Sequence, residues 1–330
     1  MLYSSPFHPG SLSDKTFLVT GGYGFIGSHL VEYLLHWNAK KVIVLDNLST
    51  GFSENLDAFK SNNALKIMQG DITDRALVDE AMKETDFVLH QAALGSVPRS
   101  LETPLATNHA NVTGFLTVLE SARKAKIKRF VYASSSSVYG DHPGLPKVEK
   151  AIGRPLSPYA VTKLVNEYYA EVFWRNFGME IIGLRYFNIF GPRQNPAGPY
   201  AAAIPLFMDA LLKNQPAYIN GDGEQSRDFT FISNAVQANI KALFCPFNPE
   251  LPQVYNVAIS GCISINSLFN ELKKISGSPM MPIHRAPRAG DVRDSMADIS
   301  RTSANLGYQP QVSVEEGLKI TFDWFKKQFS

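Results

Sequence analysis

The stretch from Thr16 to Gly27, TFLVTGGYGFIG, limits this chain more than any other feature. Thr16 to Thr20 form an uninterrupted β-prone run, which reads as a strand buried on both faces. Residues 26–36 carry apolar side chains at helical spacing. The glycines at 21, 24 and 27 therefore fall at a strand-to-helix turn. Glycine suits a turn that is tight and must let backbone approach a pyrophosphate closely. The helix start then offers free N–H groups and the positive end of a dipole to phosphate. A glycine-rich turn alone is weak support, but Asp46 closes the second strand 19 residues after Gly27, where a carboxylate can take ribose hydroxyls. No Lys or Arg follows at 47–50 to balance a 2′-phosphate, so the expected cofactor is NAD. Asp71, after a third strand, is placed at the adenine edge.

The rest of the first half repeats the alternation. Strands are expected at 42–45, 65–68, 87–90, 130–133 and 181–186. Helices are expected at 75–83, 108–124 and 158–177. Such alternation predicts an α/β fold with a doubly wound parallel sheet. Residues 1–13, rich in Ser, Pro and Gly, read as a loose leader. Residues 191–200 hold three prolines and two glycines and read as a loop. Two domains are expected: 1–190 for the dinucleotide and 191–330 as a smaller mixed lobe, with one or two segments free to return to the main sheet.

Composition closes off several function classes. With 32 basic and 30 acidic side chains the formal net charge is +2, which gives no footprint for nucleic acid or an anionic membrane. Two cysteines predict no disulfide framework and a cytoplasmic location. No Cys/His spacing suits a metal. No apolar run approaches a bilayer span, and no secretion signal is expected.

Tyr159 and Lys163 are separated by one helical turn in SPYAVTK, with Ser157 suited to the N-cap and Pro158 to the first turn. A YxxxK pair alone is more often helix surface. Here it follows Ser134, Ser135, Ser136 and Ser137, which leave a strand at the sheet edge where ligands bind in open α/β folds. For Tyr159 to act as a base near neutrality its pKa must fall by about three units, about 4 kcal/mol. The Lys163 charge and an oxidised nicotinamide are expected to lower it. Gln91, Ala92 and Ala93 form a further sheet-edge segment.

The segments HQAALGSVPRS from His90, LSPYAVTK from Leu156, LRYFNIFGPRQ from Leu184 and YINGDGEQSRDF from Tyr218 together resemble the UDP-galactose/UDP-N-acetylglucosamine 4-epimerase family of extended short-chain dehydrogenase/reductases. They are closest to its bacterial branch acting on N-acetylated UDP-hexosamines or their uronic acids. The resemblance covers nearly the whole chain. It implies that Tyr159 takes the proton of the sugar 4-hydroxyl while the C4 hydride passes to NAD, that a 4-keto sugar turns over, and that the hydride returns to the other face. It implies Ser135 as the serine that bonds the 4-oxygen and Lys163 as the nicotinamide-ribose ligand. Cofactor contacts are expected from Gly21, Tyr23, Gly24, Phe25, Ile26, Gly27, Asp46, Asn47, Ser49, Thr50, Gly51, Asp71, Ile72, Gln91, Ala92, Ala93, Asn111, Ser134 and Tyr186. Arg227 and Arg288 resemble the diphosphate arginines, whose planar forks suit phosphate. Asp291 matches a ribose contact, with Asn188, Ala202, Ala203, Tyr218 and Asn220 around the UDP end. Gly95, Ser96, Ser136 and Ser137 are assigned to the sugar. Ser295 matches the position that sets pocket width, and its small side chain implies room for an N-acetyl group. The family implies a homodimer through the helices at 108–124 and 158–177.

A 4,6-dehydratase needs acidic residues in the serine run and a UDP-glucuronate decarboxylase a Glu at 137; the sequence has neither. A non-catalytic NAD-binding regulator would not need the Tyr/Lys/Ser set. Whether C6 of the sugar is hydroxymethyl or carboxylate stays open: Arg99 serves equally as a carboxylate partner or a surface charge.

Overall fold

The computed structural model describes residues 2–196, 202–251, 253–287 and 293–328. Seven parallel strands form the main sheet: β1 (Thr16–Thr20), β2 (Lys41–Asp46), β3 (Leu65–Gln69), β4 (Phe87–His90), β5 (Arg129–Ser135), β6 (Ile181–Tyr186) and, joining from beyond residue 190, Val254–Val257. Their order is Val254–Val257, β6, β5, β4, β1, β2, β3. The chain therefore reverses its direction of winding between β1 and β4, where open α/β sheets bind ligands.

The strand sequences explain the layers. Phe17 and Val19 enter one core, and Leu18 between them enters the other; Val42 and Val44 alternate with Ile43 and Leu45 in the same way. Side chains on successive strand residues point to opposite faces, so a strand covered on both sides must be apolar throughout. Helix α1 (Phe25–His36) covers the first face, with Leu30, Val31 and Leu34 buried. Helices α2 (Arg75–Met82), α5 (Gly114–Ala125) and α6 (Pro158–Phe177) cover the second, through Val78, Phe115, Val118, Leu119 and Phe173. Burying a side chain the size of Leu contributes about 1.5–3 kcal/mol, so these two layers hold the sheet edge rigid enough to carry a site.

Two expectations need correction. The helix expected over 108–124 is interrupted: short helices α3 (Val97–Glu102) and α4 (Pro104–Asn108) lead into a π-helical turn at His109–Thr113, and α5 begins at Gly114. The leader is not loose. It has no regular secondary structure, but Leu12 and Tyr3 are buried, Tyr3 Oη lies 3.0 Å from His29 Nδ1, and Phe7 N–H donates to Tyr33 Oη at 2.7 Å. Phe7 also stacks on Tyr33. A few aromatic side chains dock a segment whose overall composition is that of a loop.

Beyond residue 190, α7 (Ala203–Leu212), α8 (Ile232–Phe244), α9 (Ile265–Ser276), α10 (Ser300–Leu306) and α11 (Val314–Gln328) alternate with short strand pairs. Among these, Ser226–Arg227 pairs with Asp294–Ser295, so that Ser295 lies opposite Arg227. Helix α8 packs on α1 and completes the first layer.

Candidate active site

The glycine turn is built as its spacing demands. Gly21 has φ of 71°, and a Cβ there would lie 2.7 Å from the Ala92 backbone nitrogen. A Cβ on Gly27 would lie 2.0 Å from the Gly21 carbonyl oxygen. Only glycine satisfies both. Helix α1 starts from Gly24 with no side-chain cap, which leaves its first turn open to an anion. The adjoining cleft is lined by Gly21, Gly24, Asp46, Asn47, Ser49, Thr50, Asp71, Ile72, Gln91, Ala92 and Ala93, together with Leu45, Gly70, Leu94 and Ala110. Asp46 is held by N–H groups of Tyr23 at 2.9 Å and Leu48 at 2.7 Å. Burial raises its pKa, and those two donors oppose the rise. Asn47 donates to Asp71 at 2.7 Å. Burial raises the Asp71 carboxyl, but bonds from Thr73 and Asn47 outweigh it and hold the pKa below its usual value. A glycine cradle that a Cβ would fill, an uncapped helix start and a carboxylate at the end of β2 fit a dinucleotide with free ribose hydroxyls.

Other residues assigned to the cofactor stand around this cleft rather than on its wall. Phe25, Ile26 and Gly27 form the first turn of α1. Gly51 packs on Tyr23. The Asn111 side chain is spent within the protein: Oδ1 accepts from Leu94 N–H at 2.8 Å, and Nδ2 donates to the Leu94 carbonyl and to Thr162 Oγ1, both at 3.2 Å. It thus ties the cleft loop to α6. Tyr186 Oη bonds Gln91 and Asn239, a residue sequence reasoning missed. The Ser134 hydroxyl donates to Glu167 at 2.5 Å, away from the cleft.

On α6, Ser157 Oγ accepts from Ala160 N–H at 3.1 Å and Pro158 occupies the first turn, so the cap fixes where Tyr159 emerges. Lys163 is buried, donates to the Ala133 carbonyl at 2.8 Å, and sits 5.9 Å from the Tyr159 ring centre. Ser135 stands near enough to the Tyr159 phenol for its hydroxyl to lower that group's pKa, and it accepts from Ser137 N–H at 3.1 Å. Ser136 begins the 3₁₀ turn that follows, and Ser137 Oγ is buried with no partner. Burial raises the pKa of Tyr159, and the neighbouring Ser135 hydroxyl opposes the rise. Desolvation also lowers Lys163, to about 8.

A second cavity, of roughly 290 Å³, gathers Asn188, Ala202, Ala203, Tyr218, Asn220 and Arg227, with Gln194, Gln225 and Phe229 beside them. The Arg227 guanidinium donates to the carbonyls of Ser226 at 2.8 Å and Arg293 at 3.0 Å, which orients it in the wall. Asn188 donates to the Asp228 carbonyl at 2.9 Å. Arg285 covers the Tyr218 ring at 3.2 Å from its centre. Ser295 is the register partner of Arg227. Gly95 has open space around it, and Ser96 caps α3. Arg288 and Asp291 lie outside the described residues. Gln194 and Gln225 lay within segments already singled out, but glutamine has no motif signature of its own. Among the described residues no group of His, Cys, Asp or Glu gathers to hold a metal, and no helix is long and apolar enough to cross a membrane.

Comparison with known proteins agrees with this geometry. The NAD dependent epimerase/dehydratase family matches residues 17–258. A UDP-N-acetylglucosamine 4-epimerase from Methanobrevibacter ruminantium, solved with UDP-N-acetylmuramic acid, is 40% identical with a TM-score of 0.91, covering 96% of this chain and 99% of that one. A UDP-glucose 4-epimerase from Thermotoga maritima, solved with UDP-glucose, is 36% identical with a TM-score of 0.90, covering 96% and 100%. A putative UDP-glucose 4-epimerase of Methanocaldococcus jannaschii is 38% identical over 94% of this chain and 98% of its own length. The chain belongs to the NAD dependent epimerase/dehydratase family, as an NAD-dependent enzyme of its UDP-sugar 4-epimerase group.

Proposed function

We propose that the preferred reaction interconverts UDP-N-acetylglucosamine and UDP-N-acetylgalactosamine at C4. The observation that carries the C4 chemistry is the placing of Tyr159 and, one turn on, Lys163 beside the serine run, on a helix tied to β5 through the Ala133 carbonyl and to the dinucleotide cleft through Asn111. NAD, when bound, supplies a reversible acceptor for the hydrogen on C4. Ser135 bonds the 4-oxygen, and Tyr159 takes and later returns its proton. Burial raises the Tyr159 pKa, so the base becomes effective only when positive charge enters beside it. Lys163 orients the nicotinamide ribose and adds to that charge. In this reading residues 1–190 hold the cofactor and 191–330 the UDP moiety. Arg227 and Arg288 contact the diphosphate, Asp291 the uridine ribose, and Asn188, Tyr218 and Asn220 the rest of the nucleotide. Gly95, Ser96, Ser136 and Ser137 surround the sugar, with the buried, unpartnered Ser137 hydroxyl available to it. The small side chain of Ser295, opposite Arg227, leaves width for the acetamido group.

The homodimer belongs to the same reading. Val161, Tyr168 and Val172 on α6, with Leu101 on α3 and Leu105 on α4, are exposed, Leu105 by 86%, and a helical apolar face of this kind favours a second copy. Sedimentation as a monomer at micromolar concentration overturns that part.

The deciding experiment incubates the purified protein, with no cofactor added, with UDP-N-acetylglucosamine and separately with its C6 uronic acid, and resolves C4 isomers by NMR. Conversion of the first to the galacto isomer is the expected result. Conversion of the uronic acid alone moves the assignment to the acid substrate, and conversion of neither defeats it.

A further inference from the structure

Behind the serine run lies a buried ion pair that the reaction scheme does not use. Glu167 follows Lys163 by one helical turn and Tyr159 by two, so all three share a face of α6. Its carboxylate accepts from three donors. Ser134 Oγ and Arg185 Nε meet Oε1 at 2.5 and 3.0 Å, and an Arg185 terminal nitrogen meets Oε2 at 2.8 Å. Glu167 and Arg185 are both more than nine-tenths buried. Ser134 and Arg185 are themselves paired across β5 and β6. Arg185 also donates to the Glu149 carbonyl at 3.1 Å and lies over the Tyr139 ring at 4.8 Å. One carboxylate on the helix therefore grips two adjacent strands directly before Ser135.

Replacing a buried ion pair by apolar side chains of similar volume is often neutral or stabilising. Stability alone is thus a weak reason for this arrangement, whereas a fixed register is a direct result of it. We propose that Glu167 is a positioning residue: it holds Ser134 and Arg185 together and so locks the serine run against the helix that presents Tyr159 and Lys163. The inference rests on the C4 chemistry proposed above. Its physical logic is short range. Ser135 must meet both the 4-oxygen and the Tyr159 phenol, and a misplacement of about 1 Å at a reacting centre is enough to cost roughly a hundredfold in rate. The charged and titratable groups that bear on Glu167 are Lys163 on α6, Tyr132 on β5 and Arg185 on β6, with Tyr139 beyond Arg185; Glu171 on α6 faces Tyr132, and His90 on β4 faces Lys163. The Glu167 charge raises the pKa of Lys163 against the effect of burial, so the same carboxylate helps keep that ammonium charged.

Ser134→Ala removes the serine contact and leaves the ion pair in place. With bound NAD retained, its kcat falls roughly tenfold, the scale of one lost buried hydrogen bond. KM for UDP-N-acetylglucosamine stays within about twofold, as for an interaction that acts on the transition state. Tyr159 ionisation, read as phenolate ultraviolet absorbance by difference against Tyr159→Phe, moves to higher pH because the Ser135 hydroxyl that lowers it is no longer held in place. Ser134→Thr, which keeps a hydroxyl, restores most of the rate, and Glu167→Gln changes both readouts in the direction of Ser134→Ala. Wild-type kcat with an unmoved phenolate titration in Ser134→Ala overturns the proposal, as does equal loss in the Ala and Thr variants. The phenolate readout needs no sugar substrate, so it still decides this point if the wild-type enzyme proves to act on a different one.

Discussion

Lys163→Met should make the protein more stable near neutral pH while stopping its turnover. Lys163 is 3% exposed, and its ammonium donates to the Ala133 carbonyl at 2.8 Å. Burial lowers its pKa from 10.5 to about 8, which at about 1.4 kcal/mol per pH unit makes the buried charge cost about 3 kcal/mol. Methionine fills similar space without charge but leaves the Ala133 carbonyl without that donor, a loss of about 1–3 kcal/mol. The net gain is therefore about 0–2 kcal/mol. The pH dependence identifies the cause. A lysine whose folded pKa is depressed carries its full penalty below pH 8; the penalty fades between 8 and 10.5, where the unfolded chain still binds the proton and the folded one has released it. Urea unfolding of both proteins, freed of bound nucleotide, should show the Met variant ahead at pH 7 and its lead shrinking toward pH 10. A variant less stable than wild type at pH 7, or a lead that does not change with pH, would refute the reasoning.

Tyr159→Phe keeps NAD and UDP-sugar binding and lowers kcat by about a hundred- to ten-thousand-fold, the usual range for a lost general base; near-normal turnover in a coupled assay removes Tyr159 from its role. Ser295→Tyr retains activity on UDP-glucose and loses roughly a hundredfold in kcat/KM on the acetylated sugar, and unchanged acetylated turnover disproves the width argument. Gly27→Ala forces α1 away from β1, because its Cβ meets the Gly21 carbonyl at 2.0 Å; overpacking of this kind costs about 1–3 kcal/mol, and absorbance and mass spectrometry should find bound NAD in the purified wild type and none in the variant.

The parts legible in the sequence were those with a short repeat or a local motif. Phe17, Leu18 and Val19 announce a strand buried on both faces, and Ser157-Pro158 announces the start of α6. The helix expected over 108–124 was misread because the apolar spacing continues through the π-helical turn, which periodicity at 3.6 residues cannot distinguish. The docked leader was missed because Tyr3, Phe7 and His8 find their partners on α1, outside any local window. The same limit hid Asn239. A spacing rule places Lys163 near Tyr159 but does not report how strongly burial opposes ionisation of the phenol.

The strand Val254–Val257 beside β6 has a consequence for biosynthesis. Until residue 257 has left the ribosome, the growing sheet ends in β6, whose backbone groups on that side have no neighbour. A nascent chain stalled near residue 190 would thus present a long, apolar, adhesive border to other polypeptides. Arg129, waiting on β5 for the carbonyls of Ala242 and Cys245, would lack them as well. Splitting the gene at that point should yield an aggregating fragment rather than a free-standing dinucleotide binder.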